Sequence, residues 1–252
     1  MIDVNVYLHR WPFRRLFGDD AVRLVSYLRE KGVTQAWAGS FDGLLQRDIS
    51  AVNARLAGDC DRYGPQFLIP FGSINPKLPD WQEDLRRCQD VHHMPGIRLH
   101  PNYHGYTLAD PEASALLDAA ARRGLIVQIA LGMEDERTQN PIMRVPVVNP
   151  APLTDMLKRW PALRVVILNG NRLPQPKQLS AAGNVSFDIA MIEGVGGVAR
   201  LANEVSPNRV LLGSLFPLFY FESSDLKMKE AGLPEDQERA IREGNARALL
   251  KK

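Results

Sequence analysis

The chain has 252 residues, 45% of them apolar and 24% charged, with a formal net charge of +2. That length suits one barrel of about 250 residues, or one doubly wound domain with additions, and it can bury a large core without a disulfide staple. The near balance of 31 basic and 29 acidic residues leaves no surplus charge for nucleic acid, and no apolar run approaches the ~20 residues that cross a membrane.

The start, Met1 to Trp11, lacks a basic stretch followed by a long apolar run, so no secretion signal is expected. Cys60 and Cys88 are isolated and sit in no metal-spaced pair, which suits a reducing cytoplasm. Short apolar runs then alternate with amphipathic stretches. The expected strands are Ile2–Leu8, Thr34–Ala38, Phe67–Ile74, Gly96–Leu99, Ile126–Leu131, Val165–Leu168, Val185–Ile189 and Val210–Gly213. Each is short and rich in Val, Ile and Leu, as strands buried on both faces are. Helices are expected over Asp19–Gly32, Asp80–Val91, Asp110–Gly124 and Pro152–Trp160. The first has an Asp cap, an apolar stripe of Val22, Val25 and Leu28, and a stop at Gly32. Strands alternating with helices imply parallel pairing, and eight such units imply a single-domain α/β fold, a (β/α)8 TIM barrel spanning residues 1–252. The connection at about 132–151, after the fifth strand, is unusually long and proline-rich. It reads as a lid, an oligomer contact or a solvated insertion.

Four segments together resemble the amidohydrolase superfamily, of the amidohydrolase-2 type. Ile2-Asp3-Val4-Asn5-Val6-Tyr7 is similar to the family's opening I-D-x-H-x-H strand, and Gly96-Ile97-Arg98-Leu99-His100-Pro101 to its fourth strand. Val210 to Pro217 resembles its G-S-D-x-P eighth strand, and Gly244-Asn245-Ala246-Arg247-Ala248-Leu249-Leu250 its terminal helix. The resemblance implies a divalent metal such as zinc, held by histidines and an aspartate, that activates water for hydrolysis. The family's ligand positions are nevertheless changed. The first-strand pair is Asn5 and Tyr7, the fifth-strand histidine is Ala130, the sixth is Asn169, and the eighth-strand aspartate is Leu215. Alanine and leucine cannot ligate, and amides and phenols are weak zinc ligands. No metal ligands and no cofactor are therefore expected. A rebuilt site at His100 and His104 is disfavoured, because Pro101 is expected to prevent a helical pair.

What remains is polar. Arg98 and His100 alternate on the fourth strand and should face the interior. A buried arginine implies an acidic partner, with Asp188, Asp3 or Glu134 to Glu136 in reach, or an anionic ligand that it would clamp. His100 is the candidate general acid/base, and Tyr7 a candidate oxyanion donor or space filler. Asn5, Gln128, Asn169 and Asn171 form a ring of amides that either binds a polar ligand or satisfies itself. Ser40 and Asp42 fall on the same rim, and no G-x-S-x-G elbow supports a serine nucleophile. Trp11, Phe13, Phe216, Phe219, Tyr220 and Phe221 read as a packed rim or a subunit contact, which leaves a homo-oligomer open. Two functions follow. One is a metal-independent hydrolase for a small polar or anionic substrate, with His100 and Tyr7 catalytic and Arg98, Asn5, Gln128, Asn169, Asn171 and Asp188 binding. The other is a catalytically inactive barrel that binds a small molecule or serves as a scaffold.

Overall fold

A computed structural model describes residues 1–171, 173 and 175–251. Its eight parallel strands follow one another in sheet order. They are β1 (Ile2–Leu8), β2 (Gln35–Ser40), β3 (Leu68–Ser73), β4 (Gly96–Leu99), β5 (Ile126–Ala130), β6 (Val165–Leu168), β7 (Val185–Asp188) and β8 (Val210–Leu211). Backbone hydrogen bonds from Val4 to Leu212, Tyr7 to Phe216 and Leu215 to Asn5 join the last strand to the first, so the sheet curls into a (β/α)8 barrel. The helices are α1 (Ala21–Glu30), α2 (Ile49–Tyr63), α3 (Trp81–Asp90), α4 (Pro111–Arg122), α5 (Leu153–Met156), α6 (Pro176–Ala182), α7 (Gly197–Val205) and α8 (Phe221–Glu230), with α9 (Glu235–Arg239) and α10 (Asn245–Leu250) at the end. None of the described helices is long and apolar enough to cross a membrane.

Local chemistry explains where the elements begin and stop. Asp20, not Asp19, caps α1 by accepting the Arg23 N–H, and Asp19 instead pairs with Arg15. The buried stripe of α1 is Leu24, Val25 and Leu28, and Val22 is exposed, a correction to the expected stripe. Gly32 and Gly124 both adopt positive φ past their helices, as their stop positions required. The stretch expected as one helix from Pro152 to Trp160 is a single α turn followed by a 3-10 turn. The strand expected to run to Gly213 ends at Leu211.

Two apolar layers result. Val6, Leu8, Ile97, Leu99, Ile129 and Ile167 pack outward against helical Leu24, Leu28, Leu56 and Leu116. Ile2, Val4, Tyr7, Trp37, Phe71, Ile126, Val166 and Leu211 fill the barrel. Strict alternation would have placed Val6, not Tyr7, on the inner face with Ile2 and Val4. The register of β1 against β2 shifts between Asp3 and Val6, and this irregularity turns Tyr7 inward.

Candidate functional site

The inner ends of the strands carry a polar cluster, and it is closed to solvent. Asn5, Tyr7, Arg98, His100 and Gln128 are fully buried, and Asn169 and Asp188 are at most 2% exposed. Met133, Phe41 and Leu215 are buried with them. Asn171 is the one expected ring member that lies elsewhere. It borders a separate rim cleft of about 460 Å³ with Leu173, Ile192 and Arg200.

Arg98 corrects the expectation most sharply. Its Nε donates to Gln128 Oε1 at 2.7 Å, Nη1 to the Val6 carbonyl at 2.8 Å, and Nη2 to the carbonyls of Val4 and Trp37 at 3.2 and 2.9 Å. Its guanidinium lies 4.5 Å from the Tyr7 ring centre. No carboxylate pairs with it among the described residues. Four of its five N–H groups are thus spent on the barrel's own acceptors. Arg98 is a staple across β1, β2, β4 and β5, and it forms no ion pair among the described residues. Gln128 completes the staple by donating to the Val4 carbonyl. Both side chains serve the carbonyls that flank the β1 irregularity.

Gly39 makes room for this. A Cβ there would lie 2.8 Å from Arg98 Nη1 and 2.9 Å from its Cδ. Gly39→Ala should therefore cost about 1–3 kcal/mol through overpacking, read as a lower urea midpoint. An unchanged midpoint would show that Arg98 is not held against β2.

Asn5 organises the opposite side. Its Nδ2 donates at 2.7 Å to both Asn169 Oδ1 and Asp188 Oδ2. Asn169 in turn donates its backbone N–H to Asp188 Oδ1 and its side-chain amide to the Gly132 carbonyl. The reverse amide orientation would set three oxygens against one another, so the NH2 group faces the acceptors. Asp3 accepts from the Asn5 and Ser214 backbone N–H groups and from Ser214 Oγ. Burial pushes the Asp3 carboxyl up to about 7 and the Asp188 carboxyl up to about 6, against the lowering pull of these hydrogen bonds.

The family's metal does not fit here. The Asn5 amide NH2 stands between the acceptors that a cation would need, and Asp188 is the one carboxylate in direct contact with it. Ala130 and Leu215 bring no donor, and among the described residues no group of three or more His, Cys, Asp or Glu could hold a metal ion.

His100 Nε2 is 2.8 Å from Tyr7 Oη, and its Nδ1 has no partner. Burial holds the imidazole well below the usual histidine range, with His104 and Arg98 adding to the effect. A group so reluctant to take a proton is poorly matched to acid/base work near neutral pH. Burial likewise raises the Tyr7 phenol, and Arg98 only partly offsets it. His104 also corrects the sequence reading. Its backbone N–H bonds the His100 carbonyl, and the two rings lie 6.0 Å apart, because Pro101 sits at the first position of the turn, where no N–H is needed.

Sequence reasoning passed over His9. Its Nδ1 is 2.6 Å from Ser40 Oγ and its Nε2 3.0 Å from Asp59 Oδ2. The order serine, histidine, aspartate is that of a nucleophilic triad, but Ser40 is fully buried and caps the next turn by accepting the Asp42 N–H. The cluster ties β1 to β2 and α2. Lys227, on α8, was also missed and lines a second rim cleft.

The profile of the Amidohydrolase family matches residues 10–252. No curated protein matches the chain. Several solved structures do. Dihydroxybenzoic acid decarboxylase from Polaromonas sp., with bound manganese and the inhibitor 2-nitroresorcinol, is 12% identical with a TM-score of 0.75, covering 99% of this chain and 96% of that one. 2,6-Dihydroxybenzoate decarboxylase from Rhizobium is 12% identical with a TM-score of 0.74, covering 99% of each chain. An uncharacterised TIM-barrel protein from Bordetella bronchiseptica is 17% identical with a TM-score of 0.73, covering 99% and 98%. At these identities the likeness is one of fold.

Proposed function

The chain belongs to the amidohydrolase family, and from that premise we propose that its barrel axis no longer performs metal-assisted hydrolysis and that the protein serves as a small-molecule-binding or scaffold barrel. One observation carries this reading. The Asn5 amide NH2 sits between Asn169 and Asp188 and uses both as acceptors, in an interior sealed from solvent. Arg98 adds support, because four of its five donors are already committed. Reaction chemistry varies widely on this fold, so the family alone does not fix the reaction.

The second reading is a metal-independent hydrolase for a small polar or anionic substrate, with His100 and Tyr7 as its reacting groups. What favours it is that His100 Nδ1 and Asn5 Oδ1, both buried in the same interior, lack partners. On that reading His100→Asn abolishes turnover.

The test assays the purified protein on ester, amide and aromatic carboxylate substrates, with and without zinc or manganese, beside metal analysis. The expected result is no metal-dependent turnover and no stoichiometric metal. One metal per chain with turnover that depends on it would overturn the proposal, and metal-free turnover lost in His100→Asn would establish the second reading.

A further inference from the structure

The open space on the barrel's C-terminal face lies to one side of the axis. A cleft of about 510 Å³ opens between the segment that follows β7 and helix α8. Its size is that of a small-molecule site, and its position is where barrel loops usually gather ligands. Phe219, Met191 and Leu226 supply apolar wall, and Lys227 lines it as a half-buried cation.

Lys227 is unusual in its partners. Nζ donates to the carbonyls of Ala190 at 2.6 Å and Ile189 at 3.3 Å. An ammonium has three N–H groups, so these carbonyls leave one over. No carboxylate pairs with Lys227 among the described residues. Asp188 acts on it only through space, being held by Asn5 and Asn169. Burial pulls the ammonium below the ordinary lysine range. A partly desolvated cation facing a cleft with a free donor is matched by an anion.

The rim narrows the choice. Asp135, Glu193 and Glu230 also line the cleft, and Asp135 is paired with Arg137. Glu230 accepts the Gly196 N–H, and the two glutamates would repel a multiply charged ligand such as phosphate more strongly than a singly charged one. The apolar wall would contribute nothing to a small inorganic ion, but it shelters an organic body.

We propose that this cleft binds a singly charged organic carboxylate, its anionic head on Lys227 and its apolar body against Phe219, Met191 and Leu226. The inference deepens the reading above and rests on it only for placing the ligand site off the axis.

Calorimetric titration of the full chain with phenylacetate, hexanoate, phenylacetamide and inorganic phosphate tests it. Saturable binding of the two carboxylates is expected, with binding of the amide and phosphate at least tenfold weaker. Lys227→Met, which keeps the stem and removes the charge, should weaken carboxylate binding at least tenfold. Leu226→Asp, at an exposed position, should do the same without disturbing the core, so loss of binding can be separated from loss of fold. Glu193→Gln should tighten binding about twofold or more by removing a repulsive charge. Absence of saturable binding, equal binding of phenylacetamide, or unchanged affinity in Lys227→Met would each overturn the proposal. Carboxylate binding together with metal-dependent turnover would overturn the reading of the axis and leave this site standing. No binding by a metal-inert protein would do the reverse.

Discussion

Arg98→Ala should destabilise the protein by about 4 kcal/mol or more, the largest single-residue effect expected anywhere in the barrel. The substitution strands the carbonyls of Val6 and Trp37 and the Gln128 side-chain oxygen, all buried, and leaves the Val4 carbonyl to Gln128 alone. Each buried acceptor left without a donor typically costs ~1–3 kcal/mol, and the vacated volume adds a cavity term. Domain stability is only ~5–15 kcal/mol, so the variant should be close to unfolding at ambient temperature. Arg98→Met separates the two contributions, because it keeps much of the volume and removes every donor. Arg98→Lys keeps the charge but has only three N–H groups for four acceptors, so it should fall between wild type and alanine. Urea denaturation at fixed pH gives the comparison. A methionine variant as stable as wild type would show that the hydrogen bonds across β1, β2, β4 and β5 contribute nothing net.

Asp3→Asn should raise stability by about 1–2 kcal/mol at pH 5 and by up to about 4 kcal/mol at pH 8. The folded Asp3 carboxyl titrates at about 7 because of burial, against an ordinary value of about 3.9 in the unfolded chain. Between these values the folded state holds a proton that the unfolded state has released. Wild-type stability is therefore highest below pH 4 with respect to this group and declines as pH rises towards 7. Asp188, raised to about 6, adds a decline of the same sign that ends earlier. An asparagine at position 3 has no proton to lose, and Ser214 Oγ can turn to accept from its amide. Denaturant midpoints for both proteins from pH 4.5 to 8.5 provide the measurement. Parallel curves would show that the Asp3 carboxyl is not displaced from its ordinary range.

Much of the architecture was legible along the chain. Eight Val-, Ile- and Leu-rich runs between amphipathic stretches specify parallel strands covered on both faces, because only those bury apolar side chains on both sides. Boundaries were less legible where a capping choice between neighbours, such as Asp19 and Asp20, depends on which side chain reaches the first N–H groups. Helix α2 and the short helices after β6 and β7 were not singled out. The 132–151 connection forms no helix or strand, as expected, with Val148 bonded back to the Leu131 carbonyl and Ile142 almost fully exposed.

The polar interior divides along the same line. Composition at single positions, Ala130 and Leu215 above all, raised the expectation that the family's metal ligands are replaced, because those side chains carry no donor atom. The partners of the residues that replaced them came only from closing the barrel. Asn5 meets Asn169 across 164 positions and Asp188 across 183. Arg98 reaches β1 across more than 90. A one-dimensional pattern reports which face a side chain takes, through the period of its strand or helix. It cannot report which carbonyl or amide waits on the far wall. That is why the sequence suggested an arginine seeking an anion, and the closed barrel supplied three backbone carbonyls and a glutamine instead.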